Sequence, residues 1–230
     1  MKKLFLVIFL AAAGSADAAV PDAIEANFPL VRIEGPEFLL DLSYNKDDNF
    51  MKKPIYEKFG IGACYLHEDM AIRMESLAII LRRRGLKAIL LDCFRPHEAQ
   101  HYLWSHGPDP RYVANPNTVG SMHSRGIAID IALADRDGNR LPLTIKDLTG
   151  AMPRFGMQGE HFNNTSWHTY KCPPEHQVLC DNRAVLKDIM AEIGLRHVRT
   201  EWWHYELPGR GKDPYYPLIS ICGKVGCEGD

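Results

Sequence analysis

The stretch GIAIDIALAD, residues 126–135, leaves little freedom to the chain around it. Ile127, Ile129, Ile131 and Leu133 alternate with Ala128, Asp130, Ala132 and Ala134, the period-two pattern of a β-strand with branched residues on one face and small ones on the other. Such a strand needs a sheet, and its branched face needs a core. Asp130 then projects from the small-residue face.

Other segments supply that core. Apolar residues recur at helical spacing from Glu68 to Arg84 (Met70, Ile72, Met74, Leu77, Ile80, Leu81), and Gly85 follows as a C-terminal cap. LKAILLDCF, residues 86–94, suits a buried strand, and Pro96 starts a short helix, PHEAQHYLW. Asp181 or Asn182 caps a helix that runs through Ile193 to Gly194, and RHVRTEWWHYEL follows as one strand. Helices and strands mix without a regular alternating unit, so the expected fold is α+β, with a mainly antiparallel central sheet flanked by helices. At 230 residues and 46% hydrophobic, the chain can bury one sizeable core, which predicts a single domain over 19–230 with a cysteine-containing tail.

Residues 1–18, MKKLFLVIFLAAAGSADA, have two lysines, an apolar run and small residues before a cut, the pattern of a secretory signal. No later stretch approaches the roughly 18 apolar residues of a membrane span. The expectation is an exported protein, periplasmic or secreted, with no stable membrane insertion after removal of the signal. A net charge of −2 with no basic block excludes a nucleic-acid footprint, and nothing points to a protein partner. In an oxidising compartment the six cysteines favour disulfides over thiolate metal sites. The simplest pairing is Cys172 with Cys180, Cys222 with Cys227 and Cys64 with Cys93.

HEAQH, residues 97–101, has the letters of a zinc-protease signature. Its third ligand is missing. The extended motif requires Gly at position 104 and His at 107, where this chain has Trp104 and Gly107, and no glutamate occurs between Glu98 and Glu160. His97 and His101 therefore read as the outer side of a short helix whose apolar face is Ala99, Tyr102 and Leu103.

Two separated stretches fit a metal better, SMHSRGIAID (121–130) and EWWH (201–204). Gly126 lets the chain turn between His123 and the strand carrying Asp130, so imidazole and carboxylate can converge. His204 would complete a set of three protein ligands with an open fourth position, the arrangement of a catalytic zinc rather than a structural one. Glu201 is the candidate base, able to take a proton from the attacking water and return it to a leaving amine. Arg95, with its fixed charge, is the candidate stabiliser of an oxyanion. Trp202 and Trp203 read as core.

The S-x-H-x-x-G-x-A-x-D stretch (Ser121, His123, Gly126, Ala128, Asp130), the E-x-x-H-Y stretch (Glu201, His204, Tyr205) and the F-R-P-x-x-A-Q stretch (Phe94, Arg95, Pro96, Ala99, Gln100) together resemble the D-alanyl-D-alanine dipeptidase family of zinc peptidases, related to D,D-carboxypeptidases and hedgehog-like domains. DLSYNKDDNFMKKPIY (41–56) is similar to its N-terminal signature. The likeness spans about residues 37 to 206. It implies one zinc per chain on His123, Asp130 and His204 at the sheet, Glu201 as base, Arg95 as transition-state stabiliser, and Ser121 and Tyr44 as substrate contacts. It also places HEAQ on a helix that does not bind metal, which makes HEAQH a coincidence of letters. The implied substrate is D-Ala-D-Ala or a related D-amino-acid dipeptide. Peptidoglycan stems cut by a D,D- or L,D-carboxypeptidase, and a non-catalytic wall-binding module, are the alternatives. The family's amine-binding acid aligns poorly here, with Asp147 and Glu160 as weak candidates.

Overall fold

The computed structural model describes residues 24–47, 49–107, 110, 112–144, 147, 177–199 and 201–225. The expected signal segment, Cys172, Cys227 and Glu160 lie outside them.

Seven strands were found among the described residues: β1 (Leu30–Arg32), β2 (Phe38–Leu40), β3 (Tyr65–His67), β4 (Leu86–Asp92), β5 (Ala128–Asp135), β6 (Arg196–Val198) and β7 (Glu201–Glu206). β1 and β3 form a small antiparallel ribbon, and the other five form a sheet ordered β2-β4-β5-β7-β6. Only β2, at one edge, runs parallel to its neighbour, so the sheet is mainly antiparallel as expected. The helices are α1 (Glu68–Arg84), α2 (His97–Ser105), α3 (Gln177–Glu192) and the short α4 (Cys222–Val225).

β5 lies at the centre of the sheet. Ile129, Ile131 and Leu133 are fully buried, as are the alanines of the opposite face. Each such Ile or Leu contributes about 1.5–3 kcal/mol by leaving water, which fixes the strand's register and hence the direction of Asp130.

α1 is held at both ends. The His67 ring accepts a hydrogen bond from Asp69 N at 3.3 Å, Glu68 and Asp69 sit in the first turn, and Arg82, Arg83 and Arg84 sit in the last, where each sign suits the helix dipole. Gly85 closes the helix at φ 66. Met70, Met74, Leu77, Ile80 and Leu81 face the core, but Ile72 is 63% exposed, because two residues along a helix is more than half a turn away from Met70.

Three boundaries differ from the sequence expectation. α3 begins at Gln177, not at Asp181, and Asp181 lies inside it, accepting a hydrogen bond from the Gln177 side chain at 2.8 Å. Leu179, one heptad before Leu186, buries with it and carries the helix upstream. RHVRTEWWHYEL is not one strand but a hairpin, β6 and β7, paired antiparallel. The pair slips between His197↔Tyr205 and Val198↔Glu201, so β7 bulges through residues 202–204. Pro96 is the residue before α2 rather than its first position.

The Cys64–Cys93 disulfide is formed and joins the residue before β3 to the residue after β4. Cys180 and Cys222 are also disulfide-bonded; each expected pairing, Cys172–Cys180 and Cys222–Cys227, includes a cysteine outside the described residues. Among the described residues no helix is long and apolar enough to cross a membrane.

Candidate metal centre and active site

Three elements deliver the candidate ligands. His123 opens a 3-10 turn, His123–Arg125, that Gly126 ends at φ 68. A Cβ on Gly126 would lie 2.6 Å from Leu30 Cδ2 and 3.0 Å from the backbone nitrogen of His67, so both conformation and space require glycine. Asp130 and His204 are directly opposed in the β5–β7 pair and project from the same face. The β7 bulge has a second consequence. Residues three apart in a regular strand face opposite ways, yet Glu201 Oε2 lies 3.9 Å from His204 Nδ1, on the same side of the sheet.

His123 Nε2, His204 Nδ1 and Asp130 Oδ1 form a triangle with edges of 3.1, 2.9 and 3.3 Å, and all three residues are buried. Among the described residues this is the one grouping of three or more such side chains able to hold a metal ion. The hydrogen bonds on the far side of each ring decide its character. His123 Nδ1 lies 2.8 Å from the Cys93 carbonyl, an acceptor, so Nδ1 carries the proton and Nε2 presents a lone pair. His204 Nε2 lies 3.4 Å from Glu206 Oε2, which likewise turns the Nδ1 lone pair inward. Two lone pairs and a carboxylate oxygen therefore meet at about the 3.3 Å spacing of ligands around a tetrahedral ion with bonds of about 2.0–2.1 Å. The donor set fits zinc.

Electrostatics agree with that reading. Burial raises the Asp130 pKa, but the two histidines outweigh it and hold the carboxylate well below its usual range. Burial lowers the His204 pKa, yet hydrogen bonds donated to Asp130 and Glu206 more than reverse this and carry it to about 10, a measure of how strongly the site attracts positive charge. Burial also pushes Glu201 up to about 7.

A cavity of about 230 Å³ opens over the triangle. Glu201, Arg95, Ser121, Trp203 and Tyr112 line it together with the three ligands. Arg95 is buried yet saturated on one side: Nε and Nη2 donate to Asp92, and Nη1 donates to Gln100 Oε1 at 2.8 Å. Five guanidinium N–H groups less these three leaves two for the cavity. Ser121 is on the wall, its Oγ accepting from His123 N at 3.2 Å. Tyr44, expected as a substrate contact, lies behind Arg95. It is 0% exposed, does not line the cavity, and lies with its ring 4.8 Å from the Arg95 guanidinium. Trp202 and Trp203 are core, as read from the sequence, although Trp203 also reaches the cavity. Asp147 is engaged locally, accepting from Leu143 N and Thr144 N at Oδ2 and from Arg140 at Oδ1.

Residues 25–221 match the peptidase family described as D-ala-D-ala dipeptidase. The chain belongs to this dipeptidase family. It is 36% identical over 185 residues to the D-alanyl-D-alanine dipeptidase of Escherichia coli, an alignment covering 80% of this chain and 85% of that protein. Among solved structures it is similar to the vancomycin-resistance D,D-pentapeptidase VanY in complex with Zn(II), at 15% identity and a TM-score of 0.32, over 71% of this chain and 85% of that one. Family membership makes the chain a peptidase that depends on zinc, and the grouping of His123, Asp130 and His204 fits that metal.

Three site residues escaped sequence reading. Asp92 anchors Arg95, takes the Tyr56 hydroxyl and accepts from Cys93 N at 2.9 Å. Its signal was an acid ending a buried apolar run. Glu206 stands two residues from His204, hence on the same strand face. Tyr112 sits in a segment without periodicity and left no signal.

Proposed function

We propose that this protein hydrolyses D-Ala-D-Ala, or a closely related D-amino-acid dipeptide, with one zinc ion per chain held by His123, Asp130 and His204. The triangle of inward-facing acceptors with edges of 3.1, 2.9 and 3.3 Å carries the reading, because that is the spacing of ligands around a tetrahedral zinc ion. Zinc bound there supplies Lewis acidity and lowers the pKa of a bound water to about 7.

The chain's own groups do the rest. Glu201, buried beside His204, takes the proton of the attacking water at its carboxylate and passes it to the leaving amine. A pKa near 7 suits both halves of that task. Arg95 directs its two remaining N–H donors at the carbonyl oxygen as charge develops there, held in place by Asp92 and Gln100. Ser121 contacts the substrate from the cavity wall, and Tyr44 serves that contact indirectly, from beneath the guanidinium. A cavity of about 230 Å³ favours a small substrate over a peptidoglycan stem. Export after loss of residues 1–18, leaving one catalytic domain over 19–230, is supported by the Cys64–Cys93 disulfide and by the lack of any free thiol among the described cysteines.

Purified zinc-loaded protein is to be offered free D-Ala-D-Ala and pentapeptide stems. Alanine from the dipeptide is expected; release from the stems alone rejects the dipeptidase reading in favour of a carboxypeptidase. Glu201→Ala is expected to keep one zinc per chain and lose turnover by about 10²-fold or more, and unchanged turnover removes Glu201 from its role.

A further inference from the structure

The two histidines of HEAQH stand outside the catalytic triangle, yet they are not scattered. His97 and His101 are one turn apart on α2, their ring centroids are 4.6 Å apart, and their Nε2 atoms approach to 3.2 Å at the solvent side. Imidazole nitrogens sharing a divalent ion at about 2.0–2.1 Å lie about 2.9–3.3 Å apart, so the pair already has the bite of a chelate. We infer that His97 and His101 form a second, surface metal site, which takes a borderline divalent cation such as Zn(II), Ni(II) or Cu(II) through both Nε2 atoms.

The helix presents the pair rigidly. Ala99, Gln100 and Leu103 are buried on its inner face, Gln100 is fixed between Arg95 and the Ala114 carbonyl at 2.8 and 2.7 Å, and His97 N donates to Ile219 O at 3.0 Å. Little order remains to be gained when a cation arrives. His97 Nδ1 is buried without a hydrogen-bond partner, which leaves Nε2 as the nitrogen that meets a ligand. Burial, and then the neighbouring His101, hold the His97 pKa below its usual value, so its ring is neutral and able to coordinate near pH 7. Without an ion one Nε2–H donates to the other Nε2; on binding, that proton moves to Nδ1 of the same ring, and two lone pairs face the cation. Imidazole selects this class of ion over calcium or magnesium. Two ligands and water positions describe an accessory site, distinct from the buried three-ligand centre and lacking its base.

Equilibrium dialysis of the full chain against Zn(II) alone tests the site. Two equivalents are expected, a tight one and a weaker one. Replacing either histidine, His97→Gln or His101→Gln, turns the chelate into a single ligand and is expected to weaken the second equivalent by ~10-fold or more, while the tight equivalent and dipeptide turnover stay. His123→Ala is expected to do the reverse. Absence of a second saturable equivalent, or one that survives both glutamine variants, overturns the inference and leaves the catalytic reading standing. Loss of the tight equivalent and of turnover in the glutamine variants overturns the catalytic ligand set instead.

Discussion

Arg95 and Asp92 form one buried ion pair on which both stability and the proposed chemistry depend. The guanidinium is buried against a carboxylate that is itself 0% exposed, with the Tyr56 hydroxyl on the other oxygen. The pair holds two charges where neither would stay alone, because an unpaired buried charge costs several kcal/mol. Asp92→Asn keeps the shape and removes the charge. It is expected to lower unfolding free energy by about 3 kcal/mol in urea titration, and also to depress turnover, since Arg95 loses the partner that aims it. Denaturation midpoints within about 0.5 kcal/mol of wild type contradict the assignment of this pair as a mutually dependent unit. Zinc content is expected to hold in this variant, because His123 and His204 make their orienting hydrogen bonds to Cys93 O and Glu206, an asparagine keeps the side-chain oxygen that accepts from Cys93 N, and Asp92 Oδ2 stands 3.7 Å from His123 Nδ1, beyond hydrogen-bond reach.

At the scale of elements, the Cys64–Cys93 disulfide ties the start of β3 to the end of β4, through the residue whose carbonyl hydrogen-bonds His123. It closes a loop of sequence separation 29, spanning α1 and β4. Closing such a loop in the unfolded chain is worth about 3–4 kcal/mol. The double variant Cys64→Ala, Cys93→Ala is expected to lose about that much stability in urea, and to bind zinc more weakly as the Cys93 carbonyl loosens; unchanged zinc affinity would separate the tether from the site. Much of this architecture was legible in the sequence, and the exceptions have physical causes. β5 declared itself because burial on one face enforces strict alternation, and an acid among alanines then marked the functional side. Gly126 was legible because a turn before a strand needs a residue tolerant of positive φ. The β6–β7 hairpin was not, since Arg199 and Thr200 carry no turn signature and the bulge that swings Glu201 toward His204 is decided by pairing with neighbours. The upstream turn of α3 was hidden by Asp181, a good cap that here lies within a helix drawn onward by burial of Leu179. HEAQH shows the limit from the other side: its letters are right for a zinc protease, but the grouping of three side chains able to hold a metal among the described residues is His123, Asp130 and His204, and includes neither of its histidines.

For the whole molecule, a metal held as proposed would join distant segments. His123, Asp130 and His204 come from a turn, a central strand and the last strand of the sheet, so an ion between them cross-links parts of the chain up to 81 residues apart. In the unfolded chain those ligands are dispersed, and the ion binds the folded state preferentially. Free zinc at a thousandfold excess over its dissociation constant therefore stabilises the fold by about 4 kcal/mol. For a domain of this size each kcal/mol moves the melting temperature by about 2–4 °C, so chelation is expected to lower Tm by roughly 10 °C. The sign follows from the ion binding only the folded state, where the three side chains are gathered. Differential scanning calorimetry with and without a chelator measures the shift, and two variants give it meaning. Glu201→Ala is expected to show the full chelator effect, because a base is not a ligand. His123→Ala is expected to show almost none, having lost the ion already. A chelator shift that persists in His123→Ala would place the stabilising ion elsewhere and break the link between sheet topology and catalytic centre.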